Sequence, residues 1–161
     1  MRKIIKRHRY KDNEIIETRT LIFEPYPYSD INLVISLLKL KLTPDLLSHK
    51  KLKYRQDKLT NKYYCHCYHA PQALYYLMDT DRLFSMKGKD YREETHWWLQ
   101  DEDEIYDVTA DQYYSVDKKP PYESGKKTNW YGWKQRPQQI SLELMKRVLD
   151  TRLIKDITSK P

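Results

Sequence analysis

The chain has 161 residues, which suits a single domain (residues 1–161) with room for a hydrophobic core. Hydrophobic residues make up 39% and charged residues 33% of the sequence, and no apolar run approaches the roughly 20 residues that a membrane-spanning helix needs. The basic N-terminus is not followed by the apolar region of a signal peptide. We therefore expect a soluble cytoplasmic protein that is neither exported nor inserted into a membrane.

The net charge of +7 is unevenly distributed along the chain. Residues 1–64 and 118–161 are rich in lysine and arginine, whereas residues 65–117 are rich in aspartate and glutamate. Nucleic acid could bind the basic flanks, but the acidic middle would repel it, and a basic surface that only aids solubility explains the same composition. The acidic middle favours a cationic or amine-bearing substrate.

The first half of the chain predicts strands followed by helices. Within a basic N-terminal extension (1–29), the β-branched residues of 14–23 favour one or two strands. Apolar residues at helical spacing predict a first helix over about 30–41. A proline is tolerated in the first turn of a helix but not deeper, so Pro71 and the apolar residues after it predict a central helix near 67–79.

The second half predicts a small antiparallel sheet and a last helix. The segments are a lysine-rich loop at 50–62, strands at 83–86, 94–99 and 105–109, turns at 87–89 and 101–104, an ordered loop at 118–133 and a helix capped by Ser141. The tail after about residue 155 is expected to fray. We therefore predict an α+β fold in which helices pack on a small antiparallel sheet.

The candidate site is organised around residues 63–78, which hold both cysteines and run into the central helix. Cys65 and Cys67 are one residue apart, so a disulfide between them would close a strained ring, and free thiols in a reducing compartment are expected. The start of a helix carries partial positive charge, which stabilises a thiolate. Cys67 lies where the central helix is expected to start and is therefore the candidate nucleophile.

Two of the predicted strands bring a histidine and an aspartate together. A loop of two or four residues in the acidic turn makes Leu99 face Tyr106 across the hairpin. His96 and Asp107 then share one face of the sheet as diagonal neighbours, within roughly 7 Å of each other. A three-residue loop would place them on opposite faces. A carboxylate at that distance can hold an imidazole in one tautomer and stabilise its protonated form.

Cys67, His96 and Asp107 together supply a nucleophile, a base and an orienting carboxylate. This set predicts cysteine-dependent acyl transfer or hydrolysis at an amide, ester or isopeptide bond of a protein, a peptide or a small amide, with no cofactor. The Cys67 backbone amide is a candidate oxyanion donor. The second oxyanion donor stays open among Gln56, Asn61 and Tyr64. The aromatic residues expected to shape the site or bind substrate in its cleft are Trp97, Trp98, Tyr113, Tyr122 and Trp130.

Two alternatives to thiol chemistry follow from the same sequence. Cys65, His66, Cys67 and His69 could act as metal ligands, but common zinc sites need a second pair of ligands with the usual spacing, and no such cysteine pair is present. Fifteen tyrosines and four tryptophans among basic residues could instead stack on nucleic-acid bases or bind a host protein without catalysis.

Four segments resemble a family of small, mostly uncharacterised bacteriophage proteins. The segments are His66–Leu77, Thr95–Leu99, Asp107–Gln112 and Pro120–Gly125, and the resemblance covers about residues 43–150. Those phage proteins resemble papain-like or transglutaminase-like thiol enzymes in the order of a cysteine on a helix, a histidine on a strand and an aspartate on a strand.

The resemblance implies a papain-like or transglutaminase-like core, with Cys67 as nucleophile, His96 as base and Asp107 as orienting group. It leaves a protease, a deamidase and a transglutaminase or other acyltransferase open, and it implies the host-cell cytosol for a phage-encoded protein. The sequence departs from the family at Cys65, where a glycine tends to occur, and at 130–133, where a glycine-rich stretch is expected.

Overall fold

The computed structural model describes residues 1–47, 63, 66–128 and 137–161. The fold is mixed α and β with small antiparallel sheets, which confirms the α+β prediction. The helices are α1 (Ile31–Lys41), α2 (His69–Leu77), α3 (Asp111–Tyr114) and α4 (Gln139–Leu149). The strands are β1 (Lys3–Lys11), β2 (Glu14–Phe23), β3 (Tyr26–Pro27), β4 (Met78–Asp79), β5 (Phe84–Lys89), β6 (Thr95–Asp101), β7 (Glu104–Tyr106), β8 (Lys126–Lys127) and β9 (Leu153–Ser159). No described helix is long and apolar enough to cross a membrane.

Strands β1, β2 and β9 form an antiparallel sheet in the order β1-β2-β9, which we call the terminal sheet. β1 and β2 are a hairpin in which Lys3 lies opposite Phe23. The hairpin turns at Asp12 and Asn13, whose φ angles are positive, and aspartate and asparagine adopt that conformation more readily than most residues. The strands predicted within residues 1–29 are thus present and paired.

The C-terminal tail does not fray, and that prediction is wrong. β9 pairs with β2 from Ser159 opposite Thr18 to Leu153 opposite Phe23. The free edge of β2 supplies hydrogen-bonding groups that β9 satisfies, since backbone amides and carbonyls require partners. Arg19 adds two hydrogen bonds to the Asp156 carboxylate, at 3.1 and 3.0 Å.

One apolar cluster joins the terminal sheet to helices α1, α2 and α4. Leu21 and Phe23 of β2 both point into it and are fully buried, because alternate residues of a strand face the same side. The helices contribute Val34, Leu38, Leu74, Leu77, Leu142 and Met145, among others. The two ends of the chain and the central helix therefore share one core.

The helix boundaries agree only in part with the prediction. The first helix, predicted over 30–41, is confirmed as α1. The central helix is shorter than predicted, since α2 ends at Leu77 and the chain continues as β4, paired with β3. Ser141 does not cap the last helix, because α4 begins two residues earlier and the buried Ser141 hydroxyl donates to Gln72 Oε1 at 2.5 Å.

Strands β7, β6, β5 and β8 form a second antiparallel sheet, in that order, which we call the site sheet. The predicted turn at 87–89 is wrong, because these residues continue β5, where Lys87 pairs with Trp97 on one side and Lys126 on the other. The predicted strand 105–109 stops at Tyr106, and the chain then turns into α3. The lysine-rich loop predicted at 50–62 lies outside the described residues.

Candidate functional site

Cys67 lies in a turn, two residues before α2 begins. The carbonyl oxygen of His66 accepts a hydrogen bond from the Ala70 amide at 3.1 Å, so helical hydrogen bonding already includes this turn. Pro71 lacks the amide hydrogen that the Cys67 carbonyl would otherwise accept, and it therefore suits this position. The half-buried thiol donates to the carbonyl oxygen of Thr95 at the start of β6, with an Sγ–O distance of 3.7 Å.

The hairpin of β6 and β7 has the predicted register. Leu99 lies opposite Tyr106 across a two-residue loop. His96 Nε2 and Asp107 Oδ2 are 2.7 Å apart, and the two side chains are 0% and 3% exposed. The predicted proximity of this histidine and aspartate is confirmed, with Asp107 placed just past the end of β7.

Buried charge controls the protonation of His96. Burial lowers the pKa of His96, but the charge and hydrogen bond of Asp107 and the adjacent Cys67 thiol raise it to about 9. Nε2 of His96 is hydrogen-bonded to the Asp107 carboxylate. Among the described residues, Nδ1 of His96 has no hydrogen-bond partner at ordinary length. Nδ1 is therefore the ring nitrogen left to exchange a proton with the thiol.

Aromatic rings enclose the imidazole. Trp98 stacks on His96 with the ring centroids 5.8 Å apart, and Tyr113 meets His96 edge-on at 4.8 Å. Both side chains are almost fully buried, whereas Tyr122 is half-buried against Trp98. Of the aromatic residues predicted to shape or line the cleft, Trp98 and Tyr113 thus pack around the ring rather than line an open surface. Their exclusion of water strengthens the electrostatic interactions of the imidazole.

Tyr122 holds the Asp107 carboxylate, which the sequence did not predict. Its hydroxyl donates to Oδ2 at 2.7 Å, the same oxygen that His96 contacts. Burial raises the pKa of Tyr122, and the Asp107 charge raises it further, so the hydroxyl keeps its proton and acts as a donor. The Thr109 amide donates to Oδ1 at 3.1 Å. The proline-rich segment around Tyr122 predicted a loop, and Tyr122 was expected only to line the cleft. Nothing in that segment indicated a bond to Asp107.

Two glycines let the loop that carries Tyr122 approach Trp98. A Cβ at Gly125 would lie 2.5 Å from Trp98 Cζ2, and a Cβ at Gly88 would lie 2.8 Å from the Pro121 carbonyl oxygen. Neither distance is compatible with a real side chain unless the surroundings move. The buried ring and the loop therefore pack closely only because both positions are glycine.

A second buried carboxylate, Asp90, fixes Tyr113. The Tyr113 hydroxyl donates to Asp90 Oδ2 at 2.8 Å, and Arg92 Nη2 donates to the same oxygen at 2.9 Å. Burial alone would raise the pKa of Asp90, but the hydrogen bonds from Arg92 and Tyr113 lower it below its usual value. This arrangement holds the Tyr113 ring against His96, and sequence spacing gave no indication of it.

The other predicted site residues are placed differently. Trp97 faces the opposite side of the site sheet from His96, where its ring packs edge-on against Tyr68 with centroids 4.9 Å apart. Trp130, predicted to bind substrate, lies outside the described residues, as do the candidate oxyanion donors Gln56, Asn61 and Tyr64.

The histidines of the candidate metal motif contact each other. His66 Nδ1 and His69 Nε2 are 2.6 Å apart, and both side chains are buried. Among the described residues, no group of three or more histidine, cysteine, aspartate or glutamate side chains is arranged to hold a metal ion. Of the two cysteines of that motif, Cys65 is not among the residues described.

Comparisons of the chain with protein-family models, with curated proteins and with solved structures gave no match. The fold and the site define an α+β protein in which a buried histidine–aspartate pair lies beside a half-buried thiol. An inference of thiol chemistry therefore depends on the geometry of Cys67, His96 and Asp107.

Proposed function

We propose that the chain is a cysteine-dependent enzyme of acyl transfer or hydrolysis, with a papain-like or transglutaminase-like arrangement of its site. The observation that supports this proposal most is the buried 2.7 Å contact between His96 Nε2 and Asp107 Oδ2 beside the Cys67 thiol. A buried ion pair of this kind contributes little net stability, because desolvation opposes the attraction between the charges. Its retention in the interior therefore favours a chemical role.

In the proposed reaction, the Cys67 thiol gives its proton to His96 and the thiolate attacks the carbonyl carbon of an amide, ester or isopeptide bond. A carbon–sulfur bond forms as the carbonyl π electrons move to oxygen. When the tetrahedral intermediate collapses, the bond to the leaving amine or alcohol breaks and the imidazolium returns its proton to that group. Water or an acceptor amine then attacks the thioester, with neutral His96 taking its proton and Cys67 leaving as the thiolate.

Asp107 stays ionised throughout and stabilises the imidazolium while orienting its ring. Tyr122 and the Thr109 amide orient the carboxylate in turn. Protease, deamidase and transglutaminase activities need the same three groups and differ in the acyl donor and in the group that attacks the thioester.

Alkylation by iodoacetamide tests the proposal, with the modified cysteine located by mass spectrometry in a Cys65→Ser background. We expect Cys67 to react near neutral pH at least about tenfold faster than free cysteine, because an adjacent imidazolium stabilises a thiolate. His96→Ala should remove most of that excess, whereas His8→Ala, a change at an exposed position of β1, should not. A slow rate that is the same in all three chains would contradict the proposal.

The charge of the terminal sheet supports the second candidate function, which is nucleic-acid binding. β1 exposes Lys6, Arg9 and Lys11 to solvent. Salt-sensitive DNA binding that survives Cys67→Ala, in a chain whose thiol is unreactive, would favour this function over thiol chemistry.

A further inference from the structure

A basic groove is lined in part by Thr95, the residue whose carbonyl oxygen the Cys67 thiol contacts. It has a volume of about 380 Å³ and is lined by residues of β5 and β8, by Thr95 of β6 and by Ser124. Its ionisable lining residues are all lysines, namely Lys87, Lys89 and Lys126. We call this concavity the lysine groove.

Strand register concentrates these positive charges. Lys87 lies directly opposite Lys126 in the pairing of β5 with β8, and like charges in that position repel. Within the described part of the chain, none of the three groove lysines forms an ion pair. At the nearby β5–β6 turn, Asp90 and Glu94 pair with Arg92, and Glu93 is exposed to solvent. The ionisable residues that line the lysine groove itself therefore carry only positive charge.

Thr95 connects the lysine groove to the thiol. Its hydroxyl accepts a hydrogen bond from Lys89 Nζ at 3.0 Å, and its carbonyl oxygen accepts the contact from Cys67 Sγ at 3.7 Å. The next residue along β6 is His96, the candidate base. Lys87 and Lys89 lie opposite Trp97 and Thr95, and therefore on the face of the site sheet away from the His96 side chain. A ligand in the lysine groove would thus reach the Cys67 thiol past Thr95, on the face where Trp97 lies.

We propose that the lysine groove binds the acidic part of the substrate, so that the acyl substrate of Cys67 is a peptide with carboxylate side chains near the bond attacked. This inference rests on the proposed function and adds a substrate class to it. It reverses the cationic substrate favoured by sequence, because the acidic residues of 65–117 do not line the lysine groove. A peptide fits better than a nucleic acid, since the thiol reacts at an acyl carbon and nucleic-acid backbones have none.

Two methanethiosulfonate reagents of similar size but opposite charge measure the potential at Cys67. The thiolate attacks the sulfenyl sulfur, a mixed disulfide forms, and methanesulfinate leaves. In a Cys65→Ser chain at low ionic strength, the anionic sulfonatoethyl reagent should react faster than the cationic trimethylammonioethyl reagent, by about 3- to 10-fold after correction for their rates with free cysteine. High salt should bring the ratio close to one.

Lys87→Gln combined with Lys126→Gln should abolish most of this preference, while the matched change Lys6→Gln, on the exposed surface of β1, should leave it unchanged. A ratio at or below one, or a preference that survives loss of both lysines, would overturn the groove assignment. The ratio is independent of the absolute rate. Failure of the groove assignment can therefore be distinguished from failure of the proposed function, which would appear as slow alkylation that His96→Ala does not affect.

Protection experiments test the substrate class. Hexaglutamate should slow iodoacetamide alkylation of Cys67, and hexalysine should not. The protection should be lost in the Lys87→Gln, Lys126→Gln chain. A single-stranded oligonucleotide of equal charge that protects equally well would show that the lysine groove binds any polyanion, and it would overturn the peptide assignment.

Discussion

The terminal sheet and the site sheet use charged residues in opposite ways. In the terminal sheet, Arg9 and Glu17 lie 3.6 Å apart with 63% and 27% of their side chains exposed. In the site sheet, His96 and Asp107 lie 2.7 Å apart with 0% and 3% exposed. An exposed pair adds little to stability and costs little to lose, whereas a buried pair makes each partner depend on the other. The Arg9–Glu17 pair is therefore optional for the fold, whereas His96 and Asp107 depend on each other.

The two sheets also differ in what they bury. The terminal sheet places aliphatic and aromatic side chains, such as Leu21 and Phe23, in the common core. The site sheet places Trp98 around a polar group and surrounds the Asp107 carboxylate with donors from Tyr122 and Thr109. Folding alone requires only the first kind of packing, and the second kind gives the site sheet a buried polar network that the terminal sheet core lacks.

Removing one member of the buried pair should give the largest effect. Asp107→Ala leaves His96 buried without its counter-charge, and we expect a loss of about 3–5 kcal/mol in the free energy of unfolding. Glu17→Ala in the terminal sheet should cost less than about 1 kcal/mol, because that pair is exposed. Urea unfolding at pH 7 measures both changes. Similar losses for the two variants would abolish the distinction between the sheets.

Stability should also fall as the pH rises, in a window set by the pKa of His96. The pKa of His96 in the folded chain, about 9, lies above the value of about 6.5 for an unfolded histidine. The folded chain therefore holds a proton that the unfolded chain loses over this range. The stabilisation is fully present below pH 6.5 or so and is lost as the pH rises through about 9, a fall of at most about 3 kcal/mol.

Urea unfolding between pH 6 and pH 9.5 would measure this loss, with His96→Gln as the variant that lacks it. The Arg19–Asp156 ion pair of the terminal sheet should not contribute, because hydrogen bonds from Arg19 keep the pKa of the Asp156 carboxyl below its usual value and so outside this window. A native chain whose stability is flat over the window would mean that His96 is not charged in the folded state.

Local rules account for the part of the site that lies within one hairpin. Strand alternation and a two-residue loop were enough to place His96 beside Asp107, since both follow from the spacing between residues 96 and 107. The start of α2 near Cys67 was predicted from Pro71 in the same local way. Periodicity likewise predicted α1.

Contacts between distant segments could not be predicted from one sequence. β9 looked like a fraying tail because its partner, β2, lies more than a hundred residues away. The lysines around Gly88 suggested a turn, since the β8 partner that continues the sheet is a two-residue strand inside a predicted loop. Tyr122 also lies in that predicted loop, outside the hairpin of β6 and β7. Its bond to Asp107 therefore could not be predicted from strand register.

Enlarging a glycine should break the packing that is particular to the site sheet. Gly125 has a φ of −64°, so Gly125→Ala introduces no backbone strain, but its new Cβ would lie 2.5 Å from the Trp98 ring. We expect a loss of about 1–3 kcal/mol by urea unfolding, as for other overpacked positions. Trp98→Phe should recover part of the loss when combined with Gly125→Ala. Strictly additive losses would show that Trp98 is not the obstacle.

The smallest effect tests whether the polar network extends beyond the pair. Tyr122→Phe removes the hydroxyl that donates to Asp107 Oδ2 and should cost about 1 kcal/mol of stability, the usual value for one hydrogen bond. Without that donor the carboxylate interacts more strongly with the imidazolium, so the pKa of His96 should rise, as measured by NMR titration of the ring protons. Tyr91→Phe, at an exposed position of the β5–β6 turn, is the matched control and should change neither quantity. A Tyr122→Phe chain with an unchanged His96 titration would confine the electrostatic coupling to His96, Asp107 and Cys67, and Tyr122 would then serve only to fill space beside Trp98.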